Sequence, residues 1–172
     1  MLLPESPAGV EALVVMGGPM AAHSDAGCPA RRAELALLRE ALAAEVPVLA
    51  VGLGARLLAV AAGGAARTGS GSRLGWGEVR TCPAADRDPL FASVSEQLRV
   101  PHRHGDTMEL PDGAALLASC ERNPVQAFRV GGSAWGLQFH LEVDEAAVDA
   151  FVTAFPEEAA TAPRTAGVAN GS

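Results

Sequence analysis

Residues 47–58 read "PVLAVGLGARLL". Pro47 through Val51 is a short apolar run, the composition of a buried strand. "GLGA" makes a tight turn and "ARLLAVAA" opens a helix that closes at Gly63–Gly64. Such a strand–turn–helix corner is where many α/β enzymes display a reactive Ser or Cys. The residue at its tip here is Gly52, which has no side chain.

The same rhythm extends outward. "ALVVM" (12–16) is a continuous apolar run ending at "GGP", expected as a strand buried on both faces and then a loop. Pro29 suits the first turn of a helix over about 30–45, where Leu35, Leu38, Leu42 and Val46 recur on one face. Strand, helix, strand, helix predicts a parallel sheet with crossover helices. The segments 75–82, 97–106, 114–120, 125–131 and 134–143 are short, β-like and separated by turn residues. Residues 144–155 form a final helix with Asp144 as its N-cap, and 156–172 should be a disordered tail.

The chain has 172 residues, enough for one domain with its own core. Its net charge of −7 leaves no broad electrostatic footprint for nucleic acid or an anionic membrane. No stretch has the length of a membrane span, because the most apolar one is interrupted by Glu45, Pro47, Gly52, Gly54 and Arg56. Cys28, Cys82 and Cys120 are scattered and odd in number, which suits reduced thiols and a cytoplasmic location. No signal-peptide pattern opens the chain, and no cofactor is expected.

Placed in order, "VVMGGPM" (14–20), "PVLAVGLGARLLA" (47–59), "LGWGEV" (74–79), "DPLF" (88–91), "HRHGDTMELP" (102–111), "QAFRVG" (126–131) and "GLQFHLEV" (136–143) resemble class I glutamine amidotransferases. The resemblance is to the small stand-alone branch similar to the amidotransferase half of GMP synthetase, and it covers about residues 11–155. It implies one α/β domain over 1–155 of the flavodoxin-like amidotransferase kind, with a mostly parallel central sheet and flanking helices. Family members normally begin with another strand and helix, whereas eleven residues precede "ALVVMGGP" here. The expectation is that this N-terminal unit is missing or that the chain's start is misassigned.

In that family a Cys at the elbow attacks the amide of glutamine, a His deprotonates it, and a Glu two residues later holds the imidazole. The matching residues are His140 and Glu142, expected on one face of an extended strand. Gly18 and the backbone N–H of Leu53 would stabilise the oxyanion. The nucleophile position falls on Gly52, and losing the nucleophile from such a unit costs on the order of a million-fold in turnover. Cys28, Cys82 and Cys120 map elsewhere and are poor candidates for a relocated thiol.

Two further departures surround the same pocket. Arg56 stands where the family carries a Gln that shapes the glutamine site, and Arg73 stands where it often has an acidic residue. His104 and Asp106 complete the expected pocket. Arg56 is expected to reach toward Glu142 or a small anionic ligand. The resulting expectation is a degenerate amidotransferase-like protein without glutaminase activity, serving a protein partner or a second copy as a binding or regulatory module.

Three other readings start from the same residues. A hydrolase could use His140 and Glu142 to activate water, or a relocated nucleophile. His102, His104 and Asp106 in "HRHGD" could present metal ligands on one strand face. "GLGARL" (52–57) resembles a dinucleotide turn, but Leu57 replaces its third Gly and no acidic residue follows at the ribose position.

Overall fold

A computed structural model describes residues 3–157 apart from 5, 19 and 26–29. In chain order its elements are β1 (Leu13–Val15), α1 (Arg31–Ala43), β2 (Val48–Val51), α2 (Leu53–Ala61), β3 (Ala66–Thr81), a 3-10 turn (Pro83–Arg87), β4 (Gln97–Met108), β5 (Ala115–Ser119), β6 (Ala127–Val130), β7 (Ala134–Leu137) and α3 (Glu145–Ala154). The strands form one seven-stranded sheet in the order β1-β2-β7-β6-β5-β3-β4. Parallel pairing joins β1, β2 and β7, and the remaining neighbours are antiparallel. The parallel part is thus the β1–α1–β2–α2 unit foreseen from the apolar runs, with β7 added from the far end of the chain.

The apolar periodicity becomes packing. Leu35 and Leu38 of α1 are buried against α2, in which Leu53 through Ala59 are all buried. Burying a side chain such as Leu57 or Leu58 contributes about 1.5–3 kcal/mol. A second core, with Val79, Phe91, Val100, Leu117 and Phe139, lies beneath the antiparallel strands. Both early helices close with paired Schellman bonds. Gly63 and Gly64 donate to Val60 and Ala59, and Glu45 and Val46 donate to Leu42 and Ala41. Glu45 accordingly has a φ of 54°, where a glycine is usual.

Several expectations are corrected. β1 is not buried on both faces: Val14 is 59% exposed, and Met16 just beyond the strand is 47% exposed. An apolar run cannot reveal that its strand lies at the edge of the described sheet. β3 begins at Ala66 rather than 75, because Ala66–Thr68 and then Arg73 onward pair with β4 despite the loop-like composition of "RTGSGSR" (67–73), with a register shift between Thr68 and Arg73. β7 ends at Leu137, so the segment 138–143 leaves the sheet. Residues 156–157 still have helical backbone, and the rest of the expected tail lies outside the described residues. Asp144 caps α3 as foreseen, its side chain accepting from the Ala147 N–H at 2.8 Å.

Candidate functional site

The ends of β2 and β7 build the site together. Gly52 follows β2 directly, donates its N–H to the Leu137 carbonyl at 2.8 Å, and turns at φ 59°, ψ −112° into α2. Few residues with a Cβ adopt that conformation. A Cβ built on Gly52 would lie 2.9 Å from Cε1 and 3.2 Å from Nε2 of His140. The elbow therefore points at the imidazole. Gly54, one residue into the helix, sits so close to the Val15 carbonyl that any side chain there would collide with it. That contact gives the second glycine of "GLGA" a packing role between α2 and β1.

His140 is held from both sides. Its N–H donates to the Pro101 carbonyl of β4 at 2.9 Å, and its Nδ1 lies 2.5 Å from Oε1 of Glu142. The other carboxylate oxygen, Oε2, accepts from the Leu141 N–H at 2.9 Å. Burial pushes the Glu142 carboxyl up, but the hydrogen bond from His140 and the backbone bonds outweigh it and hold its pKa below the usual value. The pairing is the expected one, but its cause is not strand alternation. Both residues lie in the bend after β7.

These groups open into a cleft of about 570 Å³. Gly17 and Gly18 line it, and Cβ atoms there would lie 3.2 Å from His140 Cε1 and 3.3 Å from Leu53 Cδ2 respectively. Gly18 and the first residue of α2 thus meet beside the elbow. From β4 come His102, Arg103, His104 and Asp106; from α3, Val148 and Phe151. Val148, Phe151 and Met16 were not foreseen, because their helical or loop spacing carries no chemical signature.

The imidazoles of β4 are neutral. Burial, then the charges of Arg73, His104 and His140, pushes His102 down to about 2. Burial, then Arg56 and Arg73, lowers His104 to about 4, against a hydrogen bond with the Asp106 backbone. Arg56 is only 5% exposed, and its Nε and Nη1 have no hydrogen-bond partner. Burial lowers its pKa, while Asp106 opposes that shift. The expected reach toward Glu142 is not made, since Glu142 is occupied by His140 and the Leu141 N–H. Asp106 pairs with His23 at 3.4 Å, a partner with no signal in local sequence.

Other candidates fall away from the cleft. Arg73 is not part of its wall; its Nη1 donates to the Cys120 sulfur at 3.4 Å. Cys82 lies by the Ser119 hydroxyl at 3.6 Å, and neither Cys82 nor Cys120 lines the cleft. Cys28 lies outside the described residues. Among the described residues no three His, Cys, Asp or Glu side chains group to hold a metal, which removes the support for the His102–His104–Asp106 reading. No described helix is long and apolar enough to cross a membrane.

A flavodoxin-like α/β sheet with an elbow facing a His–Glu pair defines an amidotransferase-type site. The model of the family "Glutamine amidotransferase class-I" matches residues 4–154, and the chain belongs to that family. It is 32% identical over 163 residues to the glutamine amidotransferase-like protein YfeJ of Salmonella typhimurium, covering 93% of this chain and 68% of that protein. It is 32% identical over 143 residues to the glutamine-hydrolysing GMP synthase of Porphyromonas gingivalis, covering 82% of this chain and 26% of that enzyme. The crystal structure of a glutamine amidotransferase from Methylobacillus flagellatus superposes with a TM-score of 0.81 at 31% identity, covering 91% of this chain and 62% of that one. The chain therefore spans from a quarter to two thirds of the length of these relatives.

Proposed function

We propose that this chain is an amidotransferase-like protein that does not hydrolyse glutamine and acts as a binding or regulatory module for a protein partner. The supporting observation is the elbow itself. Gly52 directs a hydrogen atom at an imidazole that is otherwise placed to take a proton from a nucleophile. Without a thiolate no thioester forms, and His140 has nothing to deprotonate except water. Partnership is supported by the relatives named as GMP synthase, one of which, from Natronomonas pharaonis, is named as a separate subunit of that enzyme.

The test is incubation of the purified chain with glutamine, and separately with an electrophilic glutamine analogue followed by intact-mass measurement. The expected result is no glutamate release and no adduct. A covalent adduct on any cysteine, or sustained glutamate release, overturns the reading. A hydrolase working through His140 and water is the second reading, favoured by the intact bond to Glu142. It predicts amide or ester turnover in the parent that His140→Ala abolishes.

A further inference from the structure

The charged groups around the cleft leave one unmatched. Glu142 is taken by His140 and the Leu141 N–H. Asp106 has His23, and the Arg103 guanidinium lies 4.9 Å and 4.2 Å from the ring centres of Phe151 and Phe155. Arg56, in the first turn of α2, is more than nine-tenths buried with Nε and Nη1 unpartnered. His104, whose pKa burial and then the Arg56 charge lower, has an unpartnered Nε2, and His102, its ring centre 5.5 Å from that of His104, is 1% exposed with neither ring nitrogen bonded. Asp106 attracts Arg56 but makes no direct ion pair with it. A buried cation without a direct partner is costly, and the adjoining helix start adds a further preference for negative charge.

Apolar side chains make up much of the remaining lining. Met16, Met20, Leu74, Val148 and Phe151 all line the cleft. These surfaces offer nothing to a compact, strongly hydrated anion and a dry seat to a short hydrocarbon chain.

We propose that the cleft binds a small monocarboxylic acid with a short apolar body, its carboxylate held by Arg56 and His104, with His102 next to His104. This deepens the reading of a site without a nucleophile. One negative charge neutralises Arg56, which a neutral amide cannot do, and the neutral imidazoles each have an N–H to donate. The apolar body packs along Met16, Met20, Leu74, Val148 and Phe151.

Isothermal titration at pH 7 with hexanoate, hexanamide and inorganic phosphate tests it, using the full chain and its Arg56→Met variant. Hexanoate should bind at least tenfold more tightly than either hexanamide or phosphate, and the variant should lose at least tenfold for hexanoate alone. A melting temperature no lower than the parent's shows that the variant is folded. Hexanamide binding as well as hexanoate, or undiminished binding to the variant, overturns the role of Arg56. Phosphate matching hexanoate overturns the apolar body, and no hexanoate binding at 10 mM or below (on the order of −3 kcal/mol) overturns the site. Glutamine turnover is measured on the same preparation. Turnover with hexanoate selectivity intact would sink the silent elbow alone, and the converse would sink the carboxylate site alone.

Discussion

Replacing Gly52 with Ala adds a single methyl group at the point on which the functional reading turns. Two costs follow from its geometry. The backbone at φ 59°, ψ −112° is one that a residue with a Cβ rarely adopts, costing about 1–3 kcal/mol. The new Cβ would also lie 2.9 Å from His140 Cε1, too close for an undisturbed contact. The ring is the end of a side chain and can retreat, but Glu142 holds its Nδ1 at 2.5 Å, so relief strains that bond. Overpacking of this kind adds about 1 kcal/mol. The expected loss is about 2–4 kcal/mol, or roughly 5–15 °C in melting temperature for a domain of this size. Urea denaturation of the parent and Gly52→Ala measures the total. A double-mutant cycle with His140→Ala isolates the contact, and should recover about 1 kcal/mol. Gly52→Ala as stable as the parent, within about 0.5 kcal/mol, would refute the elbow geometry.

Arg56→Met should raise stability by about 1–3 kcal/mol in chemical denaturation, because it removes an unpartnered buried cation. The lost attraction to Asp106 favours the lower end, and destabilisation would mean that the guanidinium has a partner in solution. Glu45→Gly should stabilise by about 0.5–1 kcal/mol in the same assay by relieving the positive φ at the end of α1; no gain would argue against that cap. Stability should also fall on mild acidification. His102 and His104 titrate near 2 and 4 in the fold, below their ordinary 6.5. Below pH 6.5 the unfolded chain therefore binds more protons than the folded one. Their contribution is complete above pH 6.5 and is lost as pH falls toward 4 for His104 and toward 2 for His102, with a slope of up to about 2.7 kcal/mol per pH unit for the pair. Equal urea midpoints at pH 7 and pH 5 would contradict their burial as neutral rings.

What was legible in the sequence is what depends on local pattern. The leucine spacing of α1, the apolar run of β2, the glycine pair closing α2 and the Asp144 cap each carry their own signal, and each forms the expected element. The first half of β3 was hidden because Gly and Ser mark loops by side-chain statistics, whereas its pairing with β4 uses backbone groups available to any residue. The outlook of Val14 depends on which strand neighbours β1, information that sits elsewhere in the chain. At the site, His140 and Glu142 were legible as a motif, yet their contact arises from a bend rather than a strand. Arg56 was singled out as a departure from the Gln that the resemblance leads one to expect there. Its burial was not foreseeable, because β4 rather than the bend after β7 supplies the charge nearest in effect.

The meeting of Gly52 with the His140–Glu142 pair has a structural cause. Gly52 is placed by its N–H bond to Leu137 and by the start of α2, which itself depends on Gly54 meeting the Val15 carbonyl. His140 is placed by its bond to Pro101, an anchor on β4. Each of these ties holds the sheet and helices together whether or not a thiol stands at the tip. An intact His–Glu pair in this fold therefore reports on the packing of β2, β7 and β4, and carries no independent evidence of turnover. Chemistry depends on what the elbow presents, so the decisive reconstruction is Gly52→Cys combined with Arg56→Gln. If the surrounding frame is sound, that double variant should form a covalent adduct with an electrophilic glutamine analogue. Gly52→Cys alone should hydrolyse no glutamine, because Arg56 remains in the cleft. Robust glutamine hydrolysis by the single variant would show that Arg56 does not redirect the site.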